Sequence, residues 1–249
     1  MEEKENILEQ LKISLNKAFF PLRYTCSVCG REVFDDSFLC KKCFDTLELN
    51  DGFRCEKCGR KTAGETSNCV SCRTQHGVDK ARSAFSYEGA IIPLIHKLKY
   101  SSAKYVATLL APYLKEVYVN EFFSPDVITF VPMRPLPKEE RGYNQAEILA
   151  EELAKLVDNQ VIEALSKTRD TSNQASLGYK DRLENLKNAY KVIDVKAIKD
   201  KKVLLVDDVL TTGATSDEVA LTLKRAGAKS VYLLTVASVP DRIDLPEND

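Results

Sequence analysis

The eight cysteines of this chain occur as four Cys-x-x-Cys pairs, and their spacing constrains the fold more than any other feature. The pattern of the first two pairs is repeated 29 residues later, and CSVCGR is echoed by CEKCGR. Structural zinc is held by four soft ligands in a closed tetrahedron, and two such pairs supply one set. The spacing therefore predicts two structural zinc ions, one bound by Cys26, Cys29, Cys40 and Cys43 and the other by Cys55, Cys58, Cys69 and Cys72.

The pairing of the cysteines follows from chain entropy. Sequential use of the pairs closes shorter loops than a cross-braced arrangement and therefore costs less. A disulfide framework is the alternative to zinc, but nothing secretory accompanies the cysteines, and cytosolic thiols stay reduced. A redox role would need only one pair. We expect a double zinc ribbon over residues 21–76 that serves as a scaffold or as a docking surface for proteins.

Composition sets the class of protein. With 249 residues, 44% of them hydrophobic, the chain can bury the core of one ordinary domain beside a small appendage. No apolar run is long enough for a membrane span. The acidic start MEEKEN lacks the basic region of a secretory signal, so we expect a cytoplasmic protein. The formal net charge of −1 argues against a strongly basic nucleic-acid-binding protein.

The apolar patterns outside the ribbon predict an α/β domain. Residues 1–20 have the spacing of an amphipathic helix, residues 77–240 alternate strands with helices, and residues 241–249 form a polar tail. This alternation predicts a mostly parallel sheet flanked by helices. Strands are expected near residues 81–89, 126–132, 161–165, 189–193, 202–206 and 230–237, helices near 91–100, 103–122, 146–156 and 215–226, and a long polar loop over 166–188.

The segment KVLLVDDVLTTGATSDE, residues 202–218, joins a buried strand to two carboxylates and a threonine-rich loop. Asp207 and Asp208 follow the apolar run at the carboxyl end of the strand, where open α/β sheets bind ligands. The helix that follows presents free amides and a partial positive charge, which attract phosphate, and Gly213 allows close approach. The carboxylates suit hydroxyl donors or a cation. A phosphate beside a ribose is a 5-phosphoribosyl group, and the hydroxyls of Thr211, Thr212 and Thr215 could donate to its phosphate.

This segment resembles the phosphoribosyl pyrophosphate (PRPP) signature of type I phosphoribosyltransferases. The zinc knuckles, LIHKLKY, VPMRPLPKEERGYNQAEILA, RDTSNQ and the PRPP signature also follow one another in the order seen in the competence protein F (ComF) family. The resemblance implies a type I phosphoribosyltransferase-like domain fused to an N-terminal zinc ribbon. In naturally competent bacteria, it implies a link to the uptake of transforming DNA.

The resemblance also implies roles for individual residues. Asp207 and Asp208 would hold the ribose hydroxyls, directly or through Mg²⁺ and water, and Arg141 would act with them in catalysis. The loop that contains Arg134, Lys138 and Arg141 would bind pyrophosphate. The 5-phosphate would be cradled by Thr211, Thr212, Gly213, Ala214 and Thr215, and a mobile lid would contain Arg169, Gln174 and Arg182.

Three functions remain open at this point. The first is a Mg²⁺-dependent phosphoribosyltransferase that binds PRPP and transfers to an unknown acceptor. The second is a non-catalytic adaptor that handles single-stranded DNA beside a helicase partner, which predicts DNA binding with a steep salt dependence. The third is a PRPP-sensing regulator, which predicts that affinity for a partner depends on PRPP.

Overall fold

The computed structural model describes residues 24–33, 38–74, 76–101, 103–121, 124–133, 142–169 and 185–241. The chain divides into two compact units, Met1–Leu47 and Glu48–Asp249. The predicted N-terminal helix and residues 242–249 of the predicted polar tail lie outside the described residues. The domain boundaries expected at residues 20, 76 and 240 stay predictions.

The first unit contains short elements around four cysteines. Strands β1 (Tyr24–Thr25) and β2 (Glu32–Val33) pair antiparallel, and helix α1 spans Lys41–Phe44. Cys26 and Cys29 lie in the turn between the two strands, while the other pair lies at and within α1. Elements this short bury little apolar surface, so a bound metal is the natural source of their stability.

The repeated sequence is also a repeated structure. In CSVCGR, the amide of Cys26 donates to a carbonyl five residues later at 2.7 Å, and in CEKCGR the amide of Cys55 does the same at 2.9 Å. The glycine of each copy has a left-handed backbone, with φ of 72° at Gly30 and 68° at Gly59. Both knuckles therefore use glycine where a side chain would strain the turn.

The second unit contains the second cysteine tetrad, a 3₁₀ helix (Val70–Thr74) and then an α/β domain. Its elements are, in order, β3 (Lys80–Ser86), α2 (Ile91–Tyr100), α3 (Tyr105–Glu121), β4 (Val127–Phe130), α4 (Gln145–Val157), β5 (Leu165–Lys167), β6 (Tyr190–Val192), α5 (Val195–Ile198), β7 (Lys202–Leu210), α6 (Ala214–Arg225) and β8 (Ser230–Ser238). None of the helices in the described ranges is both long and apolar enough to cross a bilayer.

The sheet of this unit is parallel and has the order β3-β8-β7-β4. Residues 203–206 of β7 are fully buried on both faces, as expected for a central strand between helical layers. Helix α4 packs against β4 and β7, and α6 packs against β7 and β8. The predicted fold class, a mostly parallel sheet flanked by helices with an N-terminal cysteine-rich region, is confirmed.

Two strands differ from the sequence-based expectation. Strand β7 does not end at Val206 but continues through both aspartates to Leu210, because β8 pairs with it along this length. The strand expected at residues 161–165 lies at Leu165–Lys167 and pairs antiparallel with β6 in a separate two-stranded sheet. Only an isolated bridge, from Val161 to Ile128, joins the expected segment to the main sheet.

Candidate functional site

The two aspartates lie where β7 loses one of its neighbours. On one side, β4 pairs with β7 as far as Phe130, opposite Val206. On the other side, β8 continues alongside β7 past Asp207 to Leu210. Asp207 and Asp208 therefore lie beyond the carboxyl end of β4, at the edge of the sheet where ligand crevices form.

The electrostatics of this pair favour a cation. Partial burial, followed by repulsion from Asp208, raises the pKa of Asp207 to about 7. One carboxylate oxygen of Asp208 lies 3.0 Å from the ammonium nitrogen of Lys99. Burial opposes the charge of Lys99, but the attraction of Asp208 outweighs it and raises the pKa of Lys99. Two adjacent carboxylates that repel each other suit hydroxyl donors or a divalent cation.

The loop after β7 leads directly into the N-terminus of α6. Gly213 caps this helix with φ of 85°, a left-handed conformation, and has no side chain to occupy the first amides. The Ala214 amide donates to the hydroxyl of Thr212 at 3.4 Å, which is a weak contact. No side chain of the N-cap residue bonds to the first amides of this twelve-residue helix, and an uncapped helix N-terminus is suited to bind an anion.

A buried tyrosine supports the same helix turn. The hydroxyl of Tyr190 hydrogen-bonds Thr215, and burial, followed by the charge of Asp207, raises the pKa of Tyr190. Tyr190 as a whole is only 6% exposed. Tyr190 was not among the predicted site residues, because nothing in the short strand that contains it indicates that β6 lies beside α6.

The segment Tyr143–Gln145 ties three elements together. The Tyr143 hydroxyl donates to the carbonyl of Leu98 at 2.6 Å, and the Gln145 amide donates to the carbonyl of Lys99 at 3.2 Å. Asn144 caps α4 by accepting from an amide two residues later, and it donates to the carbonyl of Val131 at 3.0 Å. This segment therefore joins the end of α2 to the end of β4, beside the acidic pair.

Lys99 was also missing from the predicted site. Its segment, LIHKLKY, carries the resemblance to a family, but Lys99 reads there as an ordinary charge next to an apolar helix face. The buried face of α2 consists of Ile91, Leu94, Ile95 and Leu98. Only the tertiary contact with Asp208 distinguishes Lys99 from the neighbouring Lys97, and a helical pattern does not contain that information.

Most of the predicted pyrophosphate and lid residues lie outside the described residues, namely Arg134, Lys138, Arg141, Gln174 and Arg182. Arg169 is described and is exposed. Its guanidinium donates to the carbonyls of Asn185 at 2.8 Å and Lys187 at 2.7 Å. Arg169 therefore joins the two ends of the predicted lid at its base, and its contact with a ligand stays a prediction.

The eight cysteines form the two predicted tetrads, and the sequential pairing is confirmed. In each tetrad, the sulfur atoms all lie within 4.8 Å of one another. Tetrahedral zinc with Zn–S bonds of about 2.3 Å places its sulfurs about 3.8 Å apart. The observed distances are 3.7 Å for Cys29–Cys40, 3.6 Å for Cys58–Cys69 and 3.8 Å for Cys55–Cys72. These spacings fit zinc and are far too long for disulfide bonds.

The sulfurs of the second tetrad perturb one another strongly. The hydrogen bond between Cys58 and Cys69 raises the pKa of Cys58 to about 12 and lowers the pKa of Cys69. Four close thiols can share few negative charges without a cation, and a dication allows all four to ionise. The donor set is therefore that of a structural zinc site.

Arg60 lies beside the second tetrad in the sequence and is almost fully buried, at 2% exposure. One of its nitrogens donates to the carbonyls of Leu210 at 3.4 Å and Val239 at 2.9 Å. Its other two nitrogens have no hydrogen-bond partner among the described residues. A zinc ion bound by four thiolates carries a net charge of −2, which would offset this buried cation. Arg60 also connects the ribbon to the end of the strand that contains the aspartates.

A separate cavity of about 300 Å³ lies away from the aspartates, and Leu49, Asn50, Tyr113 and Glu121 are among its lining residues. Glu121 accepts from Arg82 at 2.9 Å and Lys80 at 3.1 Å, and it also pairs with Arg54. Asp51 and Glu116 also line the cavity, so three carboxylates face these three cations and the cavity presents no strong charge to a ligand. The acidic pair beside α6 is the better candidate site.

Comparison with known proteins agrees with both halves of this description. Residues 138–249 match the family model of the phosphoribosyl transferase domain, and residues 15–75 match that of the double zinc ribbon domain. "DNA utilization protein YhgH" of Escherichia coli is 30% identical, over 84% of this chain and 87% of the relative. "Competence protein F" of Haemophilus influenzae is 28% identical over 74% and 83%, and "Competence protein ComFC" of Streptococcus pneumoniae is 30% identical over 79% and 86%.

Proposed function

Because this chain belongs to the competence protein F (ComF) family, we propose that it binds PRPP and Mg²⁺ as a type I phosphoribosyltransferase. One observation carries the proposal. The acidic pair near the end of β7 and the uncapped N-terminus of α6 are joined by only a few residues. A ribose with a 5-phosphate needs these two environments side by side, because its hydroxyls donate to carboxylates and its phosphate accepts from amides.

In this proposal, each group of residues contacts one part of the ligand. Asp207 and Asp208 hold the ribose hydroxyls and Mg²⁺, to which carboxylate oxygens are well suited. The 5-phosphate lies on residues 211–215, where Gly213 permits close approach. Pyrophosphate is bound by Arg134, Lys138 and Arg141, and the lid that contains Arg169, Gln174 and Arg182 covers the site.

This set of residues suits displacement at the anomeric carbon. An acceptor atom bonds to the anomeric carbon while the bond from that carbon to pyrophosphate breaks. Positive charge therefore develops on the sugar and negative charge on the leaving group. The basic side chains oppose the leaving-group charge, and Mg²⁺, when bound, supplies further neutralisation. A closed lid excludes the water that would otherwise hydrolyse the donor. Such chemistry needs no nucleophilic triad.

The test is a calorimetric titration of the zinc-loaded protein with PRPP and Mg²⁺. We expect the double variant Asp207→Asn, Asp208→Asn to lose measurable PRPP binding and to remain folded. Asp158→Asn is the matched control, because Asp158 is exposed at the end of α4 in a left-handed conformation that asparagine tolerates. Unchanged affinity in the double variant would refute the proposal. If binding is lost as expected, pyrophosphate release by the wild type with pooled acceptors identifies the reaction.

A second proposal concerns the process. Relatives named for competence and DNA utilization support a role of this protein in the use or uptake of DNA. Contact with single-stranded DNA or with a helicase is the adaptor form of this role, and PRPP-dependent partner binding is the regulatory form. Filter binding of labelled single strands at increasing salt tests the direct contact with DNA. A steep loss of affinity supports direct DNA contact, and an absence of binding excludes it.

A further inference from the structure

Lys99 forms an ion pair with one of the two aspartates, although the two residues lie on elements that are far apart in the sequence. Its ammonium nitrogen lies 3.0 Å from a carboxylate oxygen of Asp208, and the two side chains are 27% and 14% exposed. Lys99 belongs to α2 and Asp208 to β7, so the contact depends on how these elements pack. A partly buried ion pair is screened less by salt than a surface pair, so Lys99 competes effectively with other cations for this carboxylate.

The backbone that supports Lys99 is held in place separately from this ion pair. Two consecutive carbonyls at the end of α2, those of Leu98 and Lys99, accept hydrogen bonds from Tyr143 and Gln145. Carbonyls in the last turn of a helix have no partner within the helix, so side-chain donors fix their position. Asn144, between the two donors, fixes the end of β4. The Tyr143–Gln145 segment thus fixes the backbone of Lys99 relative to Asp208.

An ammonium at this position has a defined effect on metal binding. The two carboxylates repel each other, and Lys99 compensates part of their charge in the ligand-free protein. A free divalent cation competes with Lys99 for the oxygen of Asp208 that the ammonium contacts. For a cation that binds together with a polyphosphate, displacement of Lys99 costs less, because the ligand supplies anionic partners for the displaced ammonium.

We infer that Lys99 is a built-in counter-cation of the Asp207–Asp208 pair, displaced when the divalent cation enters, and that Tyr143 and Gln145 are its positioning residues. The inference deepens the proposed function, on which it rests for the identity of the anionic ligand. It follows that the metal alone binds weakly and that metal and sugar polyphosphate enter together. Removal of Lys99 therefore strengthens the binding of the metal alone, whereas loss of a merely structural side chain would leave it unchanged or weaken it.

The experiment measures Mn²⁺ binding to the zinc-loaded full chain, without PRPP, from the free Mn²⁺ signal in electron paramagnetic resonance. We expect Lys99→Met to bind Mn²⁺ about tenfold more tightly than the wild type, a typical size for coupling between two sites. Lys99→Arg, which keeps the charge, should restore weak binding. Tyr143→Phe should shift the affinity in the same direction as Lys99→Met but less. Lys97→Met, on the same helix, is the matched control and should change it by less than about twofold.

The background is defined by Asp207→Asn, Asp208→Asn, in which this site should bind no Mn²⁺. Equal or weaker Mn²⁺ binding in folded Lys99→Met, or no Mn²⁺ binding above that background in either protein, overturns the inference. Failure of the proposed function has a different signature. In that case, Lys99→Met gains Mn²⁺ affinity as expected, and neither protein binds PRPP in the presence of Mg²⁺.

Discussion

Asp207 combines partial burial with an adjacent negative charge, and both features destabilise its ionised form. A carboxylate kept under such strain indicates a site shaped for a ligand rather than for stability. The side chain accepts a hydrogen bond from the Asp208 amide at 2.8 Å, which offsets only part of the cost. Ionised Asp207 therefore lowers the unfolding free energy of the unliganded protein, and this cost can be tested.

This penalty gives a pH-dependent prediction for Asp207→Asn in metal-free buffer. The folded-state pKa, about 7, lies above the ordinary value of 3.8, so the folded protein binds the proton more tightly than the unfolded chain. The cost of ionisation is absent below pH 4, grows between about pH 4 and 7, and is complete above that range. We expect the gain in unfolding free energy from Asp207→Asn to be about 2 kcal/mol larger at pH 8 than at pH 5.

Urea denaturation at the two pH values measures this difference. Asp158→Asn, an exposed carboxyl on α4, should show no comparable change between them. A gain from Asp207→Asn that is the same at pH 5 and pH 8 would show that the pair is not repulsive in the folded state.

At this scale, the sequence could predict the residues whose chemistry is local. The two aspartates, the glycine and the threonines form one continuous segment, and their positions follow from a strand that leads into a helix. Lys99 and Tyr190 could not be found in this way, because Lys99 contacts Asp208 across 109 residues of sequence and Tyr190 contacts Thr215 across 25. A lysine beside an apolar helix face and a tyrosine in a short strand are ordinary features until the fold is known.

The elements around the site are held by side chains that bond to the ends of other elements. Asn144 is the clearest case, since its amide group caps α4 and also donates to the carbonyl of Val131 after β4. Asp194 caps α5 in a similar way, but that helix is only four residues long and the aspartate is exposed. Asn144 is therefore a cap that also joins two elements, and Asp194 is a cap that does not.

We predict that Asn144→Ala lowers the unfolding free energy by about 2 kcal/mol, through loss of the cap and of a partly buried hydrogen bond. Asp194→Ala removes only a cap and should cost about 0.5–1 kcal/mol. Urea denaturation of the two variants checks the ordering. Equal costs would mean that the bond from Asn144 to the end of β4 adds nothing to stability.

Element boundaries show what periodicity can and cannot predict. The pattern of α2 placed it at residues 91–100, as the structure has it, because a helix with a strong apolar face is recognised from local spacing. The apolar run of β7 ends at Val206, yet the strand continues for four residues because β8 extends alongside it. The pairing of β5 with β6 likewise depends on a partner that local sequence does not specify.

At the scale of the whole molecule, the two tetrads lie in different surroundings. The first belongs to the unit Met1–Leu47, with short elements of its own. The second belongs to the other unit, where its four sulfurs are part of one apolar core with Val78, Leu210 and Leu233. Repeated spacing predicted which cysteines share a metal. It could not predict this difference, since Arg60 reaches the carbonyl of Leu210 across 150 residues of sequence.

A second connection joins the ribbon to the helix of the proposed phosphate site. The amide of Gly77, just after the second tetrad, donates to the carboxylate of Asp217 in α6 at 2.6 Å. A side chain at Gly77 would approach the Asp217 carbonyl to 2.3 Å, so only glycine fits this close contact. With Arg60 at the end of β7, the second ribbon half therefore contacts the elements on both sides of the loop at 211–213.

These contacts predict unequal roles for the two metals. Replacement of Cys55 and Cys58 by serine should lower the melting temperature of the α/β unit by about 10 °C or more and abolish PRPP binding, because a buried metal site and its contact with Leu210 are lost together. Replacement of Cys26 and Cys29 removes the equivalent pair from the first tetrad and should leave both properties nearly unchanged. Differential scanning calorimetry, PRPP titration and zinc analysis of each variant make the comparison. If both pairs of substitutions were equally harmful, or if loss of the second zinc left the α/β unit as stable as before, the second tetrad would not be part of the core that supports the site.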